Sequence, residues 1–355
     1  MEVENSEPDS DLTVSVLPQN YQEADDDQDL HPQECQDFID TLPTVLDYHG
    51  IQLCQYQGFW YPKRIMHGVL QCQNHFQALH SDFLLISFPK SGITWLKALV
   101  FSIINRKTHY PDPTRTSHHP LHPLLTSNPH ALVPFLEIKL YLQQTKPDLS
   151  SFPAPRIFAS HFPYISLSES AKQVGCKIVY LCRNPKDIFA SLWHFRKNIK
   201  PETKGSNSIE NFFEEFCGGV SSYGPFWDHM LGYYKESLER PGKIKFLRFE
   251  ELKNEPVKIL KELAEFLGHG FSKEEEEENG DDDVVNDILK LCSFENLSNL
   301  EVNKNGKSIA MFGVENRDYF IRGVVGDWKN HLTFDMAERL DVISQEKLAK
   351  HGLKI

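Results

Sequence analysis

The chain has 355 residues, of which 40% are hydrophobic and 25% are charged, and this composition fits one large globular domain or two small ones. Its formal net charge of −13 argues against nucleic acid as the main partner, because surfaces that bind nucleic acid are strongly basic. The seven cysteines form no Cys-x-x-Cys pair, which indicates free thiols in a reducing compartment.

The N-terminal segment, residues 1–40, is expected to be an acidic, disordered tail, because it has acidic runs and no periodic apolar pattern. It also lacks the apolar core of a signal peptide and the arginines of a transit peptide. No apolar stretch approaches the roughly 18 residues that span a bilayer, so we expect a cytoplasmic protein with no membrane partner. Residues 41–355 are expected to form the folded domain, with a mixed helical region after residues 60–64 and an acidic surface loop over about 272–284.

Residues 84–99, LLISFPKSGITWLKAL, predict a strand, a tight loop and a helix in succession. An apolar run of strand length ends at Pro89, and a helical apolar pattern begins at Thr94. Between them lie Lys90, Ser91 and Gly92, where backbone N–H groups would converge on one point. Such a point attracts a phosphate or sulfate group, although a plain turn has the same sequence pattern. A Walker A loop is absent, which disfavours an ATPase or GTPase.

Residues 107–134 are rich in histidine and proline, and two interpretations compete. Histidine-rich segments can bind zinc, but the prolines disfavour the helical or hairpin geometry that would bring the ligands together. Long loops in compact domains are often functional. We therefore expect a loop that covers a pocket, and no metal.

Three more strands are predicted, over residues 156–160, 176–182 and 244–249. The first ends at His161. The second ends at Arg183 and is followed by a helix through Ser191, and after the third the apolar spacing predicts a helix that ends at Gly268. Apolar strands that alternate with helices predict an α/β fold, with a central parallel sheet flanked by helices in a single domain.

Lys90, His161 and Arg183 each lie at or just after the C-terminal end of a predicted strand. Ligands of open α/β sheets bind outside these strand ends, so two cations and a histidine there indicate a polyanion site beside a reacting centre. A histidine with a pKa of about 6.5 can accept a proton from a hydroxyl group, whereas an isolated histidine could simply be hydrogen-bonded in the core. Lys90 would stabilise charge on a leaving phosphate. No kinase DFG or HRD element is present, which favours metal-independent group transfer.

The chain resembles the cytosolic sulfotransferases over about residues 60–350, through five segments in order: SFPKSGITWLKAL, ASHFPY, VYLCRNPKDIFASLWHF, CSFENLSNLEVNK and RGVVGDWKNHLT. NPHALVPFLE, residues 128–137, resembles the plant branch of that family. The resemblance implies a P-loop-like phosphosulfate-binding loop. It also implies transfer of a sulfonate group from 3′-phosphoadenosine 5′-phosphosulfate (PAPS) to an acceptor hydroxyl, which leaves 3′,5′-adenosine diphosphate (PAP), with no metal required.

The family's catalytic roles map onto particular residues of this chain. His161 would deprotonate the acceptor for in-line attack on sulfur. Lys90 would hold the 5′-phosphosulfate group together with the loop that follows it, and Trp95 would also lie against adenine. The residues of this loop are Ser91, Gly92, Ile93, Thr94 and Trp95.

The resemblance also assigns residues to the other end of the donor. Arg183 and Ser191 would bind the 3′-phosphate, and Ser191 could restrain Lys90 until the acceptor binds. Ser191 follows Arg183 by eight residues, about two helical turns. Further contacts with the adenine and the 3′-phosphate would come from Phe249, Cys292, Ser293, Phe294, Arg322 and Gly323.

Three positions depart from the family pattern. Ile93 stands where threonine is common, so a hydroxyl contact is lost while the backbone donors remain. Phe249 stands where tyrosine is usual, so stacking on adenine persists without the phenol's hydrogen bond. Ile321 replaces the arginine of the family's Arg-Lys-Gly, and Arg322 matches its lysine. Loss of one charge-assisted contact costs on the order of 1.5–3 kcal/mol, or about tenfold to over a hundredfold in affinity.

The expected partner is a small hydroxylated acceptor, and the family's acceptors include flavonoids, steroids, hydroxyjasmonates and desulfoglucosinolates. A flat apolar acceptor is favoured by aromatic residues expected near the pocket, although aromatic residues at such spacing belong to the core just as often. These residues are Phe135, Phe162, Tyr164, Trp193 and Phe195.

Two other functions stay open at this stage. Ile321 and Phe249 would fit a catalytically impaired homologue that still binds a nucleotide, and a metabolite kinase would require ATP and magnesium.

A monomer or weak homodimer is expected, because a short family dimer motif is matched, but a helix cap at Thr333 explains that motif equally well. The motif residues are Lys329, Thr333, Phe334 and Glu338.

Overall fold

A small antiparallel sheet precedes a central parallel sheet. The computed structural model describes residues 32–109, 122–199, 208–273, 275, 284–306 and 314–355. β1, β2 and β3 form the antiparallel sheet in that order, and the parallel sheet has the order β5-β4-β6-β7. The strands of the described residues are β1 (Thr44–Leu46), β2 (Gln52–Tyr56), β3 (Phe59–Pro62), β4 (Phe83–Ser87), β5 (Ile157–Ser160), β6 (Lys177–Cys182) and β7 (Ile244–Arg248).

The four strands of the parallel sheet are those that the apolar runs predict. Leu85 of β4 lies beside Ala159 of β5 and Val179 of β6. Every residue of β4 and β5 is buried, as expected for strands that are covered on both faces. Alternate side chains enter two different cores, Leu84 in one and Leu85 in the other. The predicted α/β fold is therefore confirmed.

Helices pack against both faces of this sheet. Those predicted after β4, β6 and β7 are confirmed as α3, α7 and α11, and α11 ends at Gly268, whose positive φ of 77° makes it a left-handed cap. The α-helices of the described residues are α1 (Pro32–Thr41), α2 (Met66–His75), α3 (Ile93–His109), α4 (Pro129–Leu132), α5 (Tyr141–Gln143), α6 (Glu169–Gln173), α7 (Pro185–Ile199), α8 (Ile209–Cys217), α9 (Phe226–Glu239), α10 (Phe249–Asn254), α11 (Pro256–Leu267), α12 (Val284–Leu291), α13 (Phe294–Asn299), α14 (Glu301–Lys304) and α15 (Phe334–Leu348).

The start of the folded region differs from the prediction. Residues 1–31 lie outside the described residues, but α1 occupies a part of the chain that the sequence assigns to the disordered tail. Cys35 and Ile39 of α1 are buried in the core, because a spacing of four residues places both on one face of a helix. The boundary at residue 40 is therefore wrong.

The antiparallel sheet is absent from the sequence prediction, which has a mixed helical region after residues 60–64. β3 pairs with β2 through a tight turn in which Gln57 and Gly58 have positive φ values of 52° and 80°. Two-residue turns of this kind match the twist of paired strands. The helix that does follow is α2.

The acidic loop over about 272–284 is described only in part. Residues 274 and 276–283 lie outside the described residues. Glu275 forms an ion pair with the buried Arg106, whose Nε lies 2.8 Å from Glu275 Oε1. At least this carboxylate is therefore tied to α3. The seven cysteines, all of them in described ranges, are free thiols, as the sequence predicts.

A buried ion pair lies at the N-terminal ends of the parallel strands. Asp82, directly before β4, accepts hydrogen bonds from Arg156 Nε (2.8 Å) and Nη2, and Asp82 is fully buried. We expect Asp82→Asn to lower the free energy of unfolding by about 3–5 kcal/mol, because it leaves Arg156 buried without a counter-charge. Urea unfolding tests this, and Glu169→Gln, which breaks the exposed Lys172 pair, should cost less than about 1 kcal/mol. Equal losses in both variants would contradict the expectation.

Candidate active site

The residues predicted from the sequence meet at one cavity, at the C-terminal edge of the parallel sheet. The cavity has a volume of about 470 Å³. Ser91 is buried beneath its wall, while the other predicted site residues line it. These residues are Lys90, Gly92, Ile93, Thr94, Trp95, His161, Arg183, Ser191, Phe249, Cys292, Ser293, Phe294, Arg322 and Gly323. Ile321, the departure from the family pattern, lines the cavity too.

The loop between β4 and α3 has a backbone shape that only certain residues allow. Gly92 has a φ of 107°, and a Cβ atom at this position would lie 2.8 Å from the ring of Phe249. Both the backbone conformation and the packing therefore require glycine here. Lys90 also has a positive φ, of 70°. Ser91 Oγ is buried without a hydrogen-bond partner. At the start of α3, the backbone N–H groups of Trp95 and Leu96 donate to the Gly92 carbonyl, while those of Ile93 and Thr94 have no carbonyl of their own helix to donate to, so this loop can receive an anion.

Lys90 supplies positive charge to this loop. Its Nζ lies 4.0 Å from the centroid of the Phe195 ring, and no hydrogen bond between the described residues joins it to Ser191. Burial, and after it the charge of Arg183, lower the pKa of Lys90 to about 7, while Asp318 opposes the shift. Bringing an anion to Lys90 would reverse this shift, because opposite charge favours the protonated amine.

His161 is held in the tautomer that a base needs. Its Nδ1 lies 2.6 Å from the carbonyl oxygen of Ser87, which can only accept a hydrogen bond, so Nδ1 carries the proton and Nε2 has the free lone pair. Burial lowers the pKa of His161 to about 3, although the bond to Ser87 opposes the shift. His161 lines the cavity. It is therefore a neutral imidazole with an unprotonated nitrogen available to a hydroxyl group.

Glu137 and His229 fix the backbone of His161, and sequence reasoning missed both. Glu137 Oε1 accepts hydrogen bonds from the His161 N–H at 2.9 Å and from the Tyr223 hydroxyl at 3.1 Å. His229 Nε2 donates to the His161 carbonyl at 2.9 Å. Glu137 is the last residue of the NPHALVPFLE segment, residues 128–137, that resembles the plant branch of the family. Its contacts bridge 24 and 86 residues of chain, which a local pattern does not reveal.

The sequence prediction also missed a group behind the anion loop, the segment of residues 88–92 that joins β4 to α3. Lys97 is fully buried, with its Nζ 2.9 Å from His130 Nδ1 and 3.4 Å from the centroid of the Phe135 ring. His130 Nε2 in turn lies 2.9 Å from Thr94 Oγ1. These contacts connect the buried Lys97 amine, through His130, to Thr94, which lines the cavity.

Arg183 connects the anion loop with the chain after Ile321. Its Nη2 donates to the carbonyl of Val324 at 2.7 Å, and its Nε is buried without a partner. Asp187 accepts hydrogen bonds from the backbone N–H groups of Gly326 and Trp328. The first turn of α7 thereby anchors this segment over the cavity.

The Arg322 side chain is paired with Asp327, and aromatic rings form another part of the cavity wall. Arg322 Nη1 lies 2.8 Å from Asp327 Oδ1, and its side chain is 57% exposed, so it does not replace a charge at position 321 in this structure. The rings of Trp95 and Phe249 meet edge to face with centroids 5.7 Å apart. A Cβ at Gly323 would lie 2.5 Å from the Phe294 ring. Such a wall fits a flat heterocyclic base.

The other predicted residues have mixed outcomes. Of the five aromatic residues expected near the pocket, Phe135 and Phe195 line the cavity, while Phe162, Tyr164 and Trp193 pack in the core. Thr333 is the N-cap of α15, its Oγ1 accepting from the Met336 N–H, which the alternative interpretation of the dimer motif expects. Dimerisation stays a prediction.

Two kinds of feature are absent from the described residues. Among these residues, no group of three or more histidine, cysteine, aspartate or glutamate side chains could hold a metal ion. Within the same ranges, no helix has the length and apolar character needed to cross a membrane.

Comparison with known proteins identifies the family of this chain. A model of the sulfotransferase domain matches residues 80–352. The chain belongs to the sulfotransferase family. It is 46% identical to cytosolic sulfotransferase 1 of Arabidopsis thaliana over 325 residues, which cover 91% of this chain and 95% of the relative. Identity to cytosolic sulfotransferase 15 of the same plant is 47% over 330 residues, covering 93% and 89%.

Solved sulfotransferase structures share the fold. A sulphotransferase from Arabidopsis thaliana has a TM-score of 0.70 and 40% identity, covering 91% of this sulfotransferase and 95% of that chain. Mouse sulfotransferase SULT7A1 complexed with PAP has a TM-score of 0.60 and 27% identity, covering 83% and 95%. The chain is therefore an enzyme of the plant sulfotransferase type, and its family uses PAPS as the sulfonate donor.

Proposed function

We propose that this chain transfers a sulfonate group from PAPS to a hydroxyl of a small acceptor, with His161 as the base. The observation that carries this function is the hydrogen bond from His161 Nδ1 to the Ser87 carbonyl. It leaves Nε2 unprotonated in a cavity that cations also line. The pKa of His161, lowered to about 3 by burial, keeps the imidazole neutral at any pH above about 4.

The residues present fit the donor. Ser91 Oγ and Arg183 Nε are buried polar atoms without partners, and such atoms are costly unless a ligand or water satisfies them. The loop after Lys90 and the α3 N-terminus would hold the phosphosulfate group, Arg183 and Ser191 the 3′-phosphate, and the rings of Trp95, Phe249 and Phe294 the adenine. When bound, PAPS supplies the electrophilic sulfonate group.

The side chains around the cavity then have distinct roles. His161 Nε2 accepts the proton of the acceptor hydroxyl as the new O–S bond forms, and the negative charge of the bound donor would raise the pKa of the imidazolium above its value in the free protein. Lys90 presents positive charge where the bridging oxygen of the leaving phosphate gains negative charge. Glu137 and His229 keep the imidazole in place through the His161 backbone. We also propose a cytosolic location, as the names of the relatives state.

The state of Lys90 predicts a pH dependence of donor binding. The pKa of about 7 in the free protein rises when a phosphate is bound, so the complex holds a proton that the free protein partly lacks above pH 7. Affinity for PAP should therefore fall as pH rises from about 7 to 9, by at most about tenfold per unit. Calorimetry in two buffers of different ionisation enthalpy measures the proton uptake. Lys90→Met should abolish it, and uptake that survives in this variant would assign the proton to another group.

Calorimetric binding of PAP, and of ATP with magnesium, tests the proposed donor site. Binding of PAP without ATP supports the sulfotransferase pocket, and turnover of labelled PAPS with a panel of hydroxyl compounds then separates an enzyme from an impaired homologue. Binding of ATP with magnesium and not PAP would favour the kinase instead. Failure to bind either nucleotide would mean that the departures at Ile93, Phe249 and Ile321 have broken the donor site.

A further inference from the structure

His130 lies in the wall of the cavity, and the roles proposed above do not include it. It lines the cavity, although only 8% of the residue is exposed. Its Nε2 lies 2.9 Å from Thr94 Oγ1, and its Nδ1 lies 2.9 Å from Lys97 Nζ. Thr94 is in the first turn of α3, among the residues assigned to the phosphosulfate group, and Lys97 follows three residues later on the same face of the helix. His130 therefore connects a donor-binding residue with a lysine that is fully buried.

The orientation of the His130 ring is fixed by its surroundings. The ring stacks on Phe135, with centroids 5.4 Å apart and an interplanar angle of 18°, and the centroid of the Tyr319 ring is 4.1 Å away. The backbone N–H of His130 donates to Asn128 Oδ1 at 2.8 Å, and Asn128 is the N-cap of α4. Because both ring nitrogens also have partners, the imidazole has little freedom to rotate.

Lys97 is buried without a counter-charge in contact with it. No ion pair among the described residues involves its Nζ, which lies 3.4 Å from the centroid of the Phe135 ring. Glu137, the carboxylate whose charge favours the protonated amine, is hydrogen-bonded to His161 and Tyr223 instead. Burying an amine is costly unless it is hydrogen-bonded. A methionine of similar length would fill the same space without that cost, so a lysine here indicates a role for the amine.

A bound anion would decide which tautomer of His130 is needed. The Thr94 hydroxyl has one hydrogen, and it must donate this hydrogen to bind an anion. The hydroxyl oxygen is then left to accept a hydrogen bond from His130 Nε2, which must carry the proton. Burial holds the pKa of His130 well below its usual value, so the imidazole is neutral and has a single N–H. Nδ1 must therefore accept, and the Lys97 amine is the donor within reach.

The opposite tautomer would work against the donor. An unprotonated Nε2 would accept the hydrogen of the Thr94 hydroxyl, and this hydrogen would then be lost to an anion. An ammonium group at Lys97 excludes that tautomer, because it has no lone pair to accept a hydrogen bond from Nδ1. The negative charge of a bound donor favours this protonated form of the amine. A side chain without N–H groups at position 97 would leave both tautomers open.

On the basis of the function proposed above, we propose that Lys97 is a positioning residue for the sulfonate donor. It holds His130 with the proton on Nε2, and His130 thereby directs the Thr94 hydroxyl towards the phosphosulfate group of PAPS. A second route from Lys97 to the reaction has to be separated from this one. The Phe135 ring contacts Lys97 and also lies 4.7 Å from the ring of His161.

A double-mutant cycle with Thr94 distinguishes the two routes. Lys97→Met and Thr94→Val are made alone and together, and kcat/KM for PAPS is measured for each protein. Each single variant should lower kcat/KM by about tenfold, the effect of one hydrogen bond to a charged group. In the Thr94→Val protein, Lys97→Met should cost less than about twofold, because the hydroxyl that Lys97 positions is already absent.

Two further variants make the result specific. In His130→Gln, the amide has a fixed N–H donor and no tautomer for Lys97 to select, so adding Lys97→Met should again cost less than about twofold. Ser344→Ala is the matched control. It removes the buried hydrogen bond from Trp227 Nε1, 3.0 Å long and outside the cavity wall, and it should leave kcat/KM unchanged even though it lowers stability.

The outcomes separate this inference from the function on which it rests. Equal losses from Lys97→Met with and without the Thr94 hydroxyl would overturn it, because Lys97 would then act through packing or through Phe135. Unchanged kcat/KM in Lys97→Met would overturn it as well. Wild-type protein that neither binds PAP nor turns over PAPS would instead refute the proposed function. Lys97→Leu repeats the cycle in case the methionine variant does not fold.

Discussion

Replacing His161 with alanine is expected to lower the rate of sulfonation by about 10²–10⁴-fold, the usual contribution of a positioned general base. The reason is the fixed tautomer, in which Ser87 holds Nδ1–H and Nε2 is the basic atom. Affinity for PAP should change by less than about threefold, because the anion loop and Arg183 follow β4 and β6, whereas His161 follows β5. Turnover of labelled PAPS and calorimetry with PAP measure the two quantities separately.

Two variants keep this prediction specific. In His161→Gln, the side-chain amide can still donate to the Ser87 carbonyl but offers no basic nitrogen, so it should be as inactive as alanine while keeping the local packing. His67→Ala removes a histidine outside the cavity wall and should retain full activity. Near wild-type sulfonation by a folded His161→Gln protein would remove His161 from the role of base.

The pH dependence of this reaction gives an independent check. A histidine with its pKa near 6.5 would lose its basic form as pH falls through that value, and the rate would fall with it. In this protein burial lowers the pKa of His161 to about 3, so its basic form persists from pH 8 down to about 4. Any loss of rate between pH 7 and 5 should therefore come from another group, and the residual activity of the His161→Gln protein should show it at the same apparent pKa.

The sheet and the strand-end residues could be predicted because their signals are local. The run that ends at Pro89 and the one that ends at His161 each carry their own apolar pattern and breaker. Parallel strands then bring Lys90, His161 and Arg183 to one edge by geometry alone. The donor residues beyond these three, such as Cys292 and Gly323, came from family resemblance and not from any periodicity.

The residues that were missed act across long stretches of chain. Lys97 on α3 has the pattern of a helix residue, and only the fold shows that it is fully buried beside His130, 33 residues away. Glu137 likewise has no signal until the fold places it against the His161 N–H. The prediction for the aromatic residues was wrong in the opposite way. Phe162 and Trp193 follow site residues in sequence and are expected at the pocket, but they pack in the core. Burial depends on the tertiary neighbours that a single segment does not encode.

Ile321→Arg is expected to increase affinity for PAP by about tenfold to a hundredfold, which corresponds to about 1.5–3 kcal/mol for one charge-assisted contact with a phosphate. Ile321 lines the cavity, and Gly323 is packed on Phe294 so closely that the segment has little freedom to shift. The neighbouring Arg322 is engaged with Asp327. The present sequence therefore places no cation at position 321 of the cavity wall.

The net charge of −13 complicates any test that adds an arginine, because a weaker overall negative field would by itself favour an anionic ligand. Val325→Arg adds the same charge four residues away, at a side chain that is 46% exposed and outside the cavity wall, and Ile321→Leu keeps position 321 apolar. The gain from Ile321→Arg should exceed both. It should also vanish for 5′-AMP, which lacks the 3′-phosphate, so an equal gain for the two nucleotides would trace the effect to the field and not to a contact at position 321.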